Sequence, residues 1–220
     1  MPRRRTYRKK YYKKKKSNYN SYANTAIKAL RVANQVRQLV NTEFHYHDTS
    51  TTQSPVDYNG DVGSLMDIPQ GDGDDERQGD SIRMKNLTMQ GMVEYDAAGS
   101  LDNQVVTIMI LLDKQNKVSL AADVLEASYI ATGIAPFAPK DRDKMYQTKM
   151  LAKRTVSVNA DKPLSRFKIN LSNINFHTQY ENETTTINTN DLKLLIISND
   201  PSATDGPNIT YIARLTFIDN

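Results

Sequence analysis

Cysteine and tryptophan are both absent from the 220-residue chain. Without cysteine there is no disulfide framework, no thiolate zinc site and no thiol nucleophile. No membrane span is expected, because the longest apolar run, residues 105–112, is broken by Thr107. A spanning helix needs roughly 20 such residues. The N-terminus is charged like the start of a signal peptide, but no apolar segment follows it, so a secretory signal is not expected. The most telling absence is of one charge sign. Residues 1–40 hold 13 Lys and Arg and not one Asp or Glu. All 25 acidic residues lie from Glu43 onward, beside the other 16 Lys and Arg. The formal charge of +4 is therefore a +13 segment joined to a −9 remainder. A separation this complete argues for two parts with different partners.

The basic part divides again. Residues 1–22 contain ten Lys and Arg and no aliphatic side chain beyond Met1. Like charges at that density repel, and nothing apolar is present to bury, so this arm is expected to be disordered on its own. Residues 23–41 change character. Ala26, Ile27, Leu30, Ala33, Val36 and Val40 recur at helical spacing, with Lys28, Arg31, Gln35 and Gln38 on the other side. The spacing predicts an amphipathic helix with a basic face. Ser21 or Asn24 is placed to cap its start.

Residues 42–220 read as one β domain. Phe167, Ile169 and Leu171 alternate with Arg166, Lys168 and Asn170, the pattern of a half-buried strand. Leu87, Met89, Val93 and Tyr95 form a similar row, interrupted by Gly91, and Ile209, Tyr211, Ala213, Leu215 and Phe217 form the last. Residues 104–112 and 192–198 are apolar on both faces, as in strands inside a packed sandwich. Further strands are expected at 44–51, 145–151 and 154–158, with a helical stretch at 120–127. Long loops are expected at 58–79, 159–163, 173–190 and 200–207. About eight strands without βαβ alternation, joined by loops of uneven length, predict an all-β antiparallel jelly roll.

The arm carries the strongest functional signal. Flexible cations release condensed counterions when they neutralise phosphates, so the expected partner is a nucleic-acid backbone. The candidate contacts are Arg3, Arg4, Arg5, Arg8, Lys9, Lys10, Lys13, Lys14, Lys15 and Lys16, with Lys28 and Arg31 on the helix. Nothing is spaced like a groove-reading helix, so binding is expected to be independent of sequence. Tyr7, Tyr11, Tyr12, Tyr19 and Tyr22 lie among the charges and suit stacking on unpaired bases. A nuclear localisation signal is a compatible reading of the same residues, and a solubilising tail is the plainer one.

Other clusters point to less. Residues 67–80 gather Asp72, Asp74, Asp75 and Glu76 among Gly71, Gly73 and Gly79. Such a loop could hold Ca²⁺, but its spacing is not that of an EF-hand. A solvated turn, or a loop that meets cations of a neighbouring subunit, is the expectation. His45 and His47 alternate and share a strand face, without a third ligand nearer than His177. No metal and no cofactor are expected. There is no G-x-S-x-G elbow, P-loop, H-E-x-x-H or Rossmann glycine pattern, so no enzyme activity is expected. A cupin-like oxygenase would need clustered His ligands, which three scattered histidines do not supply.

Several segments in order resemble the capsid proteins of small circular Rep-encoding single-stranded DNA viruses, the circovirus-like group. The residues are the Tyr-bearing basic N-terminus, Ile68-Pro69-Gln70-Gly71, Arg77-Gln78-Gly79-Asp80 leading into a strand at 81–95, and MYQTKMLAKRTVSV at 145–158, which looks like a strand pair. The resemblance covers nearly the whole chain. It implies a single jelly roll, self-assembly into a small icosahedral shell of sixty copies (T=1), single-stranded DNA packaged by the arm, and nuclear import through the same arm. Location in the virion, and in the host nucleus during assembly, follows from it. The arm is shorter and richer in lysine than many of that family. The competing reading is a cellular β-barrel nucleic-acid-binding protein with a basic tail. The acidic remainder speaks against it, since such modules usually carry basic residues on the folded part as well.

Overall fold

The structure is a computed structural model that describes residues 24–32 and 44–219. The chain divides into two units, Met1–Glu43 and Phe44–Asn220. In the first, residues 24–32 are helical, as the spacing of apolar residues predicts. The rest of the expected 23–41 helix and the 1–22 arm lie outside the described residues.

The second unit contains ten strands: β1 His45–Pro55, β2 Asp61–Ser64, β3 Ser81–Glu94, β4 Asn103–Asp113, β5 Thr148–Asn159, β6 Leu164–Leu171, β7 His177–Tyr180, β8 Ile187–Thr189, β9 Asp191–Ser198 and β10 Asn208–Asp219. They form two sheets. The larger is ordered β1-β10-β3-β7-β8, with β6 also paired to β3; the smaller is ordered β2-β9-β4-β5. All the pairings are antiparallel. Once the short β7 and β8 are set aside, the first strand pairs with the last, the second with the second-last, and so inward to β4 with β5. A nested hairpin rolled in this way across two facing sheets is a jelly roll.

Between the sheets lies the main core. Met84, Leu87, Met89, Val93, Phe167, Leu215 and Phe217 come from the larger sheet, and Val106, Ile108, Ile110, Leu194 and Ile196 from the smaller. Burying each such side chain contributes about 1.5–3 kcal/mol. Gly91 interrupts the apolar row of β3 for a steric reason: a Cβ there would lie 2.8 Å from the Phe167 ring and 2.9 Å from Tyr211 Cα. The gap in the pattern lets β10 and Phe167 close over β3.

A second core explains why β4 and β9 are apolar on both faces. Met109, Leu111, Leu195 and Ile197 point away from the first core and pack against Val118, Ala121, Val124, Leu125, Ala135 and Ala138. Those partners belong to the long β4–β5 connection, which covers the outside of the smaller sheet. Sandwich packing alone would bury only one face of these strands.

Four expectations need correction. The stretch at 120–127 is not one helix but two short 3-10 turns, Ala121–Asp123 and Ala127–Tyr129. Its apolar residues pack singly onto the smaller sheet, and Glu126 N–H bonds Pro139 O rather than continuing a helix. Residues 145–158 do not hold a strand pair; 148–159 is one strand. The register against β4 slips between Ile110 and Leu111, and this bulge shifts the phase of the alternation, so one strand reads as two. The expected loop at 58–79 contains β2, a four-residue edge strand with Val62 as its only large apolar side chain. The expected loop at 173–190 contains β7 and β8, each too short for a periodic signal.

Candidate nucleic-acid interface

Arg3, Arg4, Arg5, Arg8, Lys9, Lys10, Lys13, Lys14, Lys15 and Lys16 lie outside the described residues. Lys28 and Arg31 lie within the 24–32 helix and are exposed. Three residues apart, they are neighbours on the helix surface. Ile27 and Leu30 are likewise three apart and are 52% and 65% exposed. The helix therefore presents both a basic pair and an apolar pair to its surroundings.

The folded unit adds cations that the sequence reading did not assign to a site. Strand pairing aligns residues across the outer face of the larger sheet in rows. One row is Asp48, Arg214, Thr88 and Asn170; the next is Ser50, Ile212, Gln90 and Lys168; a third is Thr210, Met92 and Arg166. Their chain neighbours, such as Met89, Phe167, Ala213 and Leu215, point into the core, so these residues point out. Arg214 donates to Asp48 from Nε and Nη2 at 2.7 and 2.6 Å. The hydrogen bond from Arg214 holds the Asp48 carboxyl below its ordinary range. The Arg214 guanidinium also lies 5.8 Å from the ring centre of the exposed Tyr46. Arg83 Nε donates to His177 Nε2 at 2.9 Å. Arg166 and Lys168 are exposed. The alternation of Arg166 and Lys168 was visible in the sequence, but which strands flank them was not.

The loop before β3 is held from within. Gln70 and Arg77 form a parallel bridge. Arg77 N–H donates to Pro69 O, and Gly71 N–H to Arg77 O, each at 3.0 Å. Glu76 turns inward and accepts from Gly73 N–H at 2.7 Å, and a Cβ on Gly71 would collide with the Glu76 carboxylate. The Arg77 side chain is fully buried. Its guanidinium donates to Gly79 O and to Thr184 O, lies 3.5 Å from Asp80, and sits 4.2 Å from the centre of the Tyr180 ring. Tyr180 in turn donates to Met66 O at 3.0 Å. The residues that carry the family resemblance here therefore form a locked loop with a buried cation at its centre. Among the described residues no group of three His, Asp or Glu is placed to hold a metal ion.

The histidines sit at the edge of the larger sheet. His45 is buried, stacks on Phe217 with ring centres 5.4 Å apart, and places Nε2 3.5 Å from Asp219 Oδ2. His47 is half-buried, and burial lowers its pKa from the ordinary value, against opposition from Asp67, Asp75 and Asp48.

No family model matches the chain, and no curated protein matches it. Among solved structures it is similar to one of Desmodium yellow mottle tymovirus, at 9% identity over 80% of this chain and 86% of that one, with a TM-score of 0.38. It is similar to the infectious bursal disease virus VP2 subviral particle at 11% identity, over 79% of this chain and 32% of that one, with a TM-score of 0.30. It is also similar to a structure of Melon necrotic spot virus, at 11% identity over 80% of this chain and 54% of that one, with a TM-score of 0.38. The chain thus spans about a third of the VP2 chain and about half of the Melon necrotic spot virus chain.

Proposed function

We propose that this chain is a viral coat protein that self-assembles into a small icosahedral shell and packages single-stranded DNA through its basic N-terminal arm. The observation that carries this reading is the charge partition: +13 in residues 1–40 against −9 in residues 41–220. The arm is a dense source of cations for a polyanion, while the acidic remainder repels one. The jelly roll supplies a rigid two-sheet wall with long loops at its ends, which suits contacts between identical neighbours in a closed shell. Sixty copies, as the family resemblance implies, would bring roughly 780 positive charges of residues 1–40 to the interior. That suits a genome of order a thousand nucleotides or somewhat more, counterions balancing part of the phosphate. The choice of DNA and entry into the host nucleus through the arm rest on the same resemblance.

Electron microscopy and nucleic-acid content of the purified full chain test this reading. Closed particles that carry nucleic acid are expected. Deleting residues 2–16 is expected to leave the folded unit intact and remove the nucleic acid. A protein that stays monomeric or dimeric in every salt and pH condition would defeat the coat reading. Retained packaging after the deletion would show that the arm is not the binding element.

A further inference from the structure

We infer that the outer face of the larger sheet is a second contact for the nucleic acid, a track on which Arg166 and Lys168 bind phosphates and Tyr46 stacks a base. This rests on the coat reading and adds to it a site on the folded unit. The first argument is charge. The outward positions of β1, β10, β3 and β6 hold five cations, Arg83, Lys85, Arg166, Lys168 and Arg214, and two carboxylates, Asp48 and Glu94. The face is thus +3, although residues 41–220 sum to −9, which leaves −12 for everything else in that segment. The folded unit is polarised, and a polyanion meets attraction on this face and repulsion over the remainder.

The second argument is the state of the cations. Arg214 is committed to Asp48 by two hydrogen bonds. Arg166 and Lys168 form no ion pair or hydrogen bond among the described residues, so the fold itself makes no use of their charge. They are fixed on one strand two residues apart, about 6.8 Å by strand geometry, and point the same way. Around them Ser50, Thr88, Gln90, Asn170 and Thr210 supply neutral hydrogen-bonding groups. Tyr46 lies at the far side, roughly 20 Å from Lys168 by sheet spacing. An exposed aromatic beside an arginine is the usual platform for an unpaired base. A single strand crossing from Lys168 to Tyr46 meets both kinds of contact. Finally, the residues that precede β1 are the basic segment itself, so a polyanion bound there is tethered to this sheet at raised effective concentration.

Salt-dependent binding of labelled single-stranded oligonucleotides to the full chain, held below its assembly concentration, tests the track. The variant R166Q/K168Q is compared with K117Q/R142Q, which removes two exposed cations of the β4–β5 connection. Loss of two phosphate contacts is expected to reduce the slope of log K against log salt by about 1.4 for a single strand. The loss should be equal for all sequences, and K117Q/R142Q should keep the original slope. Y46L should weaken binding while Y46F retains it. An unchanged slope in R166Q/K168Q, or an equal loss in both double variants, overturns the track and leaves the arm reading standing. A change in particle size with the slope unchanged assigns the face to a second copy of this chain and also overturns it. A full chain that binds no oligonucleotide at low salt sinks the track and the arm reading together.

Discussion

Replacing Arg77 with methionine tests whether a buried cation holds the loop before β3 in place. The side chains are similar in length, so the cavity term is small. What changes is polar. Gly79 O and Thr184 O lose their donors at part-buried sites, where an unsatisfied acceptor costs toward the low end of about 1–3 kcal/mol. The guanidinium–Tyr180 stacking is lost as well, a contact worth about 2 kcal/mol when desolvated. Against these stands relief from keeping a charge out of water. Asp80 is half-exposed, so its carboxylate rehydrates at little cost. The net loss expected is about 3 kcal/mol. At a urea m-value of about 2 kcal/mol/M, the unfolding midpoint of the full chain should fall by roughly 1.5 M. Lysine keeps the charge but not the fork that reaches two carbonyls, so Arg77→Lys should fall between methionine and wild type. Wild-type stability for Arg77→Met would refute the reasoning, because it would mean that desolvation of the guanidinium cancels everything the guanidinium binds.

Gly91→Ala should cost about 1–3 kcal/mol, because the new methyl group meets the β10 backbone, which cannot step aside as a side chain can; a thermal melt reads this. Burial holds the His47 pKa below its ordinary value, so the unfolded chain binds the proton first. Stability is therefore expected to fall as pH drops below about 6.5, and His47→Gln should flatten that part of a stability–pH profile. Asp48 has the same sense at lower pH: its carboxyl is held low by Arg214, so the unfolded chain again binds the proton first, and the pair stabilises above the ordinary carboxylate range and fades as pH falls. Being exposed, it should contribute little and weaken in high salt, as a double-mutant cycle of Asp48→Asn with Arg214→Gln would measure.

Strands with one face in the core announced themselves in the sequence. β6 and β10 alternate cleanly because the other face meets water, and the structure places them where the alternation predicts. β2, β7 and β8 did not, since three or four residues are too few for a period to emerge and their neighbours provide the pairing. The bulge opposite Leu111 broke a single strand into two apparent ones, because the side-chain phase is a property of the pair rather than of either strand. Arg77 reads in the sequence as one more surface charge in a polar, Gly-rich loop. Its burial depends on Tyr180 and Thr184, more than a hundred residues away, and no local pattern signals that.

What the sequence determined alone is the division of the chain: charge sign is additive along a polymer, so a +13 segment and a −9 remainder exist before any folding. It also determined the all-β class, because strand periodicity is local. Tertiary structure decided which charges share a surface. Lys168 lies 46 residues from Arg214 and 122 from Tyr46 in the chain. Only the nested pairing of β1, β10, β3 and β6 lays all three on one outward face. Pairing across a rolled hairpin brings together residues that are remote along the chain, and so a polarised face can arise on a domain whose total charge has the opposite sign.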